Sequence, residues 1–71
     1  MSIEVKAPMA GKFVEFKVKE GDVVQPKQML AVLEAMKMNV YVYAPREGKV
    51  EKLLAKPGDV VDKNTVLLTL A

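Results

Sequence analysis

The sequence predicts a single all-β domain, a small barrel or sandwich of eight short strands with approximate two-fold symmetry. Three observations predict it. The chain has 71 residues, which suits one domain. Slid along itself by 37 positions, it places residues 3–34 on residues 40–71 without a gap. Each half then reads as short apolar segments cut by turns that carry Gly, Pro and Asp. Two copies are too few for a solenoid, so they point to one closed domain over residues 1–71.

The elements follow in order. Ile3 to Val5 alternates apolar and charged residues, and Ala7-Pro8-x-x-Gly11 breaks the pattern. Val14, Phe16 and Val18 alternate with Glu15 and Lys17, the period-two pattern of a half-buried strand. Glu20-Gly21-Asp22 predicts a turn, Val23-Val24 a very short strand, and Gln25 to Gln28 another turn. Met29 to Ala35 is the longest apolar run of the first copy. The second copy repeats the plan as Val40–Tyr43, Gly48–Ala55, Val60–Val61 and Val66–Leu70. Helix propensity favours the opposite reading for Met29–Met38. The matched segment Thr65–Leu70 is rich in β-branched residues, however, and a symmetric fold should use one element type twice.

The repeat is specific. Eleven of the twenty-eight pairs from Ala7/Ala44 onward are identical, among them Lys19-x-Gly21-Asp22-Val23-Val24 with Lys56-x-Gly58-Asp59-Val60-Val61. All four glycines pair, as 11 with 48 and 21 with 58. Glycine serves positions of positive φ or tight approach, so both halves should bend at the same places. Asp22 and Asp59 should brace those bends through local backbone hydrogen bonds.

Composition narrows the function. A hydrophobic content of 51% supports a core. Cysteine and histidine are both absent. Their absence removes thiolate zinc sites, thiol nucleophiles and every catalytic arrangement built on an imidazole. The chain is therefore not expected to be a self-sufficient enzyme. Net charge is +2, and the ten lysines are interleaved with acids. A nucleic-acid binder would cluster its cations, favour Arg and interleave aromatics. No apolar run approaches the ~20 residues that span a bilayer. The expected location is cytoplasmic, with which the lack of cysteine agrees.

Between the two copies lie five residues without a counterpart, Ala35-Met36-Lys37-Met38-Asn39. Lys37 is the middle one, where the last strand of the first copy should turn into the first strand of the second. A lysine at such a hairpin tip stands furthest from the body of the domain.

The string Glu34-Ala35-Met36-Lys37-Met38 resembles the attachment motif of the biotinyl, or biotin carboxyl carrier, domains of biotin-dependent carboxylases and decarboxylases. Ala7-Pro8-Met9-Ala10-Gly11 and Lys19-Glu20-Gly21-Asp22-Val23-Val24 resemble the same family, and the likeness runs over residues 3 to 70. It implies a flattened β-barrel, a sandwich of two four-stranded antiparallel sheets with quasi-two-fold symmetry. It also implies covalent biotin on Lys37, with Met36 and Met38 as flanking recognition residues and Ala35 and Glu34 completing the motif. Glu34 is read as a strand-end charge and not as a catalytic acid. The implied partners are a biotin protein ligase, a biotin carboxylase, and a carboxyltransferase or decarboxylase. Asn39 departs from the family, where Glu is common. The short segment between Val18 and Val23 leaves no room for the protruding loop of some bacterial acetyl-CoA carboxylase carriers. Lipoyl domains share the fold, but their lysine usually follows an Asp and lacks the methionines. A lipoyl-type acyl carrier and an unmodified interaction module are the alternatives.

Overall fold

The computed structural model describes residues 2–71. Eight strands form, namely β1 Ile3–Lys6, β2 Gly11–Phe16, β3 Val23–Val24, β4 Met29–Ala35, β5 Met38–Tyr43, β6 Gly48–Leu53, β7 Val60–Val61 and β8 Val66–Leu70. No helix occurs among the described residues, so Met29–Met38 forms strand and turn despite its helix formers. One sheet has the order β1-β8-β6-β3 and the other β5-β4-β2-β7. Every pairing is antiparallel. The architecture is a sandwich of two four-stranded sheets. Among the described residues no ladder joins one sheet to the other, so hydrogen bonds between strands do not close the barrel there.

The sequence repeat becomes a repeat of register. Ile3↔Leu70, Glu4↔Thr69, Val5↔Leu68 and Lys6↔Val66 join β1 to β8. Their counterparts Val40↔Leu33, Tyr41↔Val32, Val42↔Ala31 and Tyr43↔Met29 join β5 to β4. Even the irregularities match. Leu30 and Leu67 are each skipped by the neighbouring ladder, and their carbonyls instead accept from Lys17 N at 2.7 Å and Leu54 N at 2.8 Å.

The alternation expected over Val14–Val18 is corrected here. The second strand spans Gly11–Phe16, and a bulge between Phe13 and Glu15 leaves Val14 unmatched. A bulge inserts one residue and resets which side chains face inward. Phe13 is therefore buried and Val14 exposed, while Phe16 sits half-buried against the Phe13 ring at 4.5 Å between centroids. The matching bulge between Val50 and Lys52 ends β6 at Leu53, short of the Ala55 that the sequence suggests.

The turns carry the expected geometry. Gly21 and Gly58 have φ of 93° and 94°, a region that side-chain-bearing residues rarely adopt. The Asp22 and Asp59 carboxylates accept from Lys19 N and Lys56 N, both at 2.9 Å. Gln28 and Thr65 brace the next turn of each half by accepting from Gln25 N and Asp62 N, both at 3.0 Å. Between the sheets lie Phe13, Val24, Leu30, Leu33, Val50, Leu67, Leu68 and Leu70, all essentially without solvent contact. Among the described residues no polar or charged side chain is buried in this core.

The strand order also fixes the two ends of the body. Gly11 pairs with Val61, and a Cβ on Gly11 would stand 2.5 Å from the Glu34 carbonyl oxygen. So β7 finishes beside the end of β4, and β8, one turn later, starts there and runs away. Its last residue, Leu70, pairs with Ile3. Ile3 and Leu70 thus occupy one end of a body measuring 32 × 18 × 17 Å, and the β4–β5 hairpin occupies the other.

Candidate functional site

The hairpin is as tight as a β-hairpin can be. Ala35 pairs with Met38 and Glu34 with Asn39, so only Met36 and Lys37 form the loop. Of the five residues without a repeat counterpart, three therefore continue the ladder. Met36 has φ of 53° and Lys37 φ of 64°. Positive φ at both central residues is the requirement of a type I′ turn, whose twist matches that of the flanking strands. The usual occupants are Asn and Gly. Here two ordinary side chains hold the left-handed conformation, at a cost of about 1 kcal/mol or more each.

That turn decides where the side chains go. Ala35 is buried and anchors the base of the hairpin, with Gly11 packed against the backbone beside it. Beyond it nothing is covered. Met36 is 86% exposed and Met38 67%, while Glu34, Lys37 and Asn39 are also exposed. The two methionines therefore fill no core, in agreement with a role outward from the domain. The Lys37 ammonium has no ion-pair partner among the described residues. A primary amine on a short, rigid projection is open to acylation from every side.

The other groups that could do chemistry are scattered. Among the described residues no cluster of three or more carboxylates could hold a metal ion. Glu15 pairs with Lys17 at 3.3 Å on the surface, and Glu20 accepts from Leu53 N at 3.2 Å. Asp22 and Asp59 are spent on their turns. The candidate site is the hairpin tip.

The fold and much of the sequence have known relatives. A family model described as "Biotin-requiring enzyme" matches residues 3–70. The chain belongs to this family. Its curated relatives include pyruvate carboxylase 1 of Caenorhabditis elegans, 53% identical over 38 residues that make up 54% of this chain and 3% of that protein. The gamma subunit of glutaconyl-CoA decarboxylase from Acidaminococcus fermentans is 51% identical over 37 residues, 52% of this chain and 26% of the subunit. Among solved structures, urea carboxylase of Kluyveromyces lactis superposes with a TM-score of 0.94 at 28% identity, over 100% of this chain and 6% of the enzyme. A single-chain, multi-domain long-chain acyl-CoA carboxylase gives 0.89 at 35% identity, over 96% of this chain and 7% of that one. The chain thus spans a small part of each relative. It is a biotin-requiring domain of the carrier type, homologous to segments of carboxylases and of a decarboxylase subunit. No helix among the described residues is long and apolar enough to cross a membrane.

Proposed function

We propose that Lys37 is the covalent attachment point for biotin and that this single domain, residues 1–71, is a non-catalytic carboxyl carrier. The observation that carries this reading is the exposed, two-residue Met36-Lys37 turn, held at positive φ within a Met-Lys-Met string. A biotin protein ligase presents biotin as an activated acyl adenylate. Lys37 Nζ attacks the acyl carbon, the bond to the adenylate oxygen breaks, AMP leaves, and Nζ loses a proton to give a neutral amide. Met36 and Met38 offer the ligase an apolar contact on either side of the amine. Ala35 fixes the hairpin base, and Glu34 is a charge at the strand end beside it.

When attached, biotin supplies a ring nitrogen that accepts and releases a carboxyl group. The chain contributes position: a tip that enters a partner's pocket and a body that holds the tip away from Ile3 and Leu70 at the opposite end. The partners are a biotin carboxylase that loads the carboxyl group and a carboxyltransferase or decarboxylase that takes it, in the cytoplasm. Tethering raises the local concentration at such partners to the millimolar range for short linkers.

The test is Lys37→Arg, which keeps the charge and removes the acylation nucleophile. Incubated with ligase, biotin and ATP, the wild type should gain one biotin by intact mass and bind streptavidin. The variant should fold normally and do neither. Labelling of the variant at another lysine would sink the assignment, and uptake of lipoate in place of biotin would move the chain to the acyl-carrier reading.

A further inference from the structure

β1 and β5 are both sheet edges, and a cleft of about 390 Å³ runs between them. Its lining comes in pairs related by the repeat: Glu4 with Tyr41, Val5 with Val42, Lys6 with Tyr43, and Pro8 with Pro45. The pseudo-two-fold axis therefore passes through the cleft. Its two walls are nonetheless unlike. The β1 wall carries Glu4 and Lys6, the charges by which an unpaired edge ordinarily avoids association. The β5 strand, Met-Asn-Val-Tyr-Val-Tyr, carries no charge, and Tyr41 and Tyr43 are 41% and 52% exposed. The fold alone does not ask for this difference, since the same edge in the other half is built from charges.

The cleft also has a near and a far half with respect to Lys37. β5 leads away from the tip and β1 towards it, so Tyr41, Lys6 and Pro8 form the near half. Tyr43, Glu4 and Pro45 form the far half. Tyr41 lies four residues from Lys37, about 13 Å along a strand, and Tyr43 six residues away, about 20 Å. A biotinyl-lysine arm reaches about 14 Å from its Cα to the ring by ordinary bond lengths. Only the near half is within reach.

We propose that the near half of this cleft is a resting site for the biotin ring carried on Lys37, an inference that rests on the attachment proposed above. The Tyr41 ring and Pro8 offer an apolar surface to the bicyclic ring. The Lys6 ammonium offers a donor to its ureido oxygen. The cleft has the volume of small-ligand sites, and its open mouth lets the ring leave for a partner's pocket.

The test compares isotope-labelled chain before and after ligase treatment by NMR, with intact mass confirming one biotin on Lys37. The Tyr41 ring, Lys6 and Pro8 resonances should shift, and the Tyr43 ring, Glu4 and Pro45 should not. Shifts confined to residues 35–39, or equal shifts at both tyrosines, would overturn the resting site and leave the attachment standing. A chain that takes no biotin would overturn both. Tyr41→Ala should also speed streptavidin capture of the modified chain about twofold if half the arms are docked, because only the undocked fraction is competent to bind. Tyr43→Ala should leave capture unchanged, and equal rates for the wild type and both variants would refute docking.

Discussion

Replacing Met36-Lys37 by Asn-Gly should make the domain more stable while abolishing the modification proposed at Lys37. The magnitude follows from the turn. A residue with a Cβ pays roughly 1 to 2 kcal/mol in the left-handed conformation, and here two consecutive residues adopt it. Asn tolerates that region through its short polar side chain, and Gly occupies it freely. The side chains removed are exposed, so no core contact is lost. Against the gain stands the added freedom that Gly gives the unfolded chain, roughly 0.5 to 1 kcal/mol. The net should be a stabilisation of about 1 to 2 kcal/mol. In a domain of this size that raises Tm by roughly 5 to 15 °C. Thermal and urea unfolding followed by circular dichroism would measure it, and Met36→Asn alone should show a smaller rise with Lys37 retained. A double variant with unchanged or lower Tm would refute the reasoning, because strain would then not reside in this turn. If the rise is found, the native pair is kept for its chemistry at the expense of stability, as strained backbone at functional sites often is.

Gly21→Ala and Gly58→Ala should each cost about 1 kcal/mol, and by the same amount, because φ is the same and an added Cβ meets nothing within 4 Å at either site. Losses of unfolding free energy in urea that differ by more than about 0.5 kcal/mol between the two would break the equivalence of the halves. Met38→Thr should leave stability within about 0.5 kcal/mol, as at other exposed positions, yet slow biotin transfer by the ligase in a timed streptavidin assay. A large loss of Tm would show Met38 to be packed after all.

Much of this fold is legible in the sequence because the constraints involved are local. Gly21-Asp22 and Gly58-Asp59 announce their turns through residue types that only such backbones need, and the carboxylates bond within three residues of themselves. The hairpin at Lys37 is legible for another reason: the repeat leaves its residues without counterparts, so position in the symmetry does the work of a propensity. The bulge at Val14 is different. Period-two reasoning assumes an unbroken ladder, and whether Phe13 or Val14 faces inward is settled only when β2 meets β4. The same holds for Gly11, whose missing side chain matters because the Glu34 carbonyl lies where a Cβ would go. The sequence shows that glycine recurs there but not what approaches it. The cleft between β1 and β5 is illegible in principle from strand patterns, since it depends on how the two sheets are set face to face.

The duplicated architecture gives this protein an internal control that most small domains lack. Positions that the fold requires recur in both halves: the turn glycines and aspartates, the inward Val24 and Val61, the buried Leu30 and Leu67, Leu33 and Leu70. Exposed positions are free of that requirement, so a difference between the halves there has another origin. Some differences are expected from surface drift, such as Gln25 against Asp62 in equivalent turns that are braced equally well. Others change the surface chemistry, as Val14 against Glu51 and Lys17 against Leu54 do on β2 and β6 and just beyond them. Ala35 to Asn39 have no counterpart, and on the adjoining β5 edge Tyr41 and Tyr43 stand where β1 has the charged Glu4 and Lys6, with Val42 kept as Val5. The loss of both edge charges on β5, beside the hairpin, is the difference that the attachment proposed at Lys37 and the resting site proposed near Tyr41 would explain.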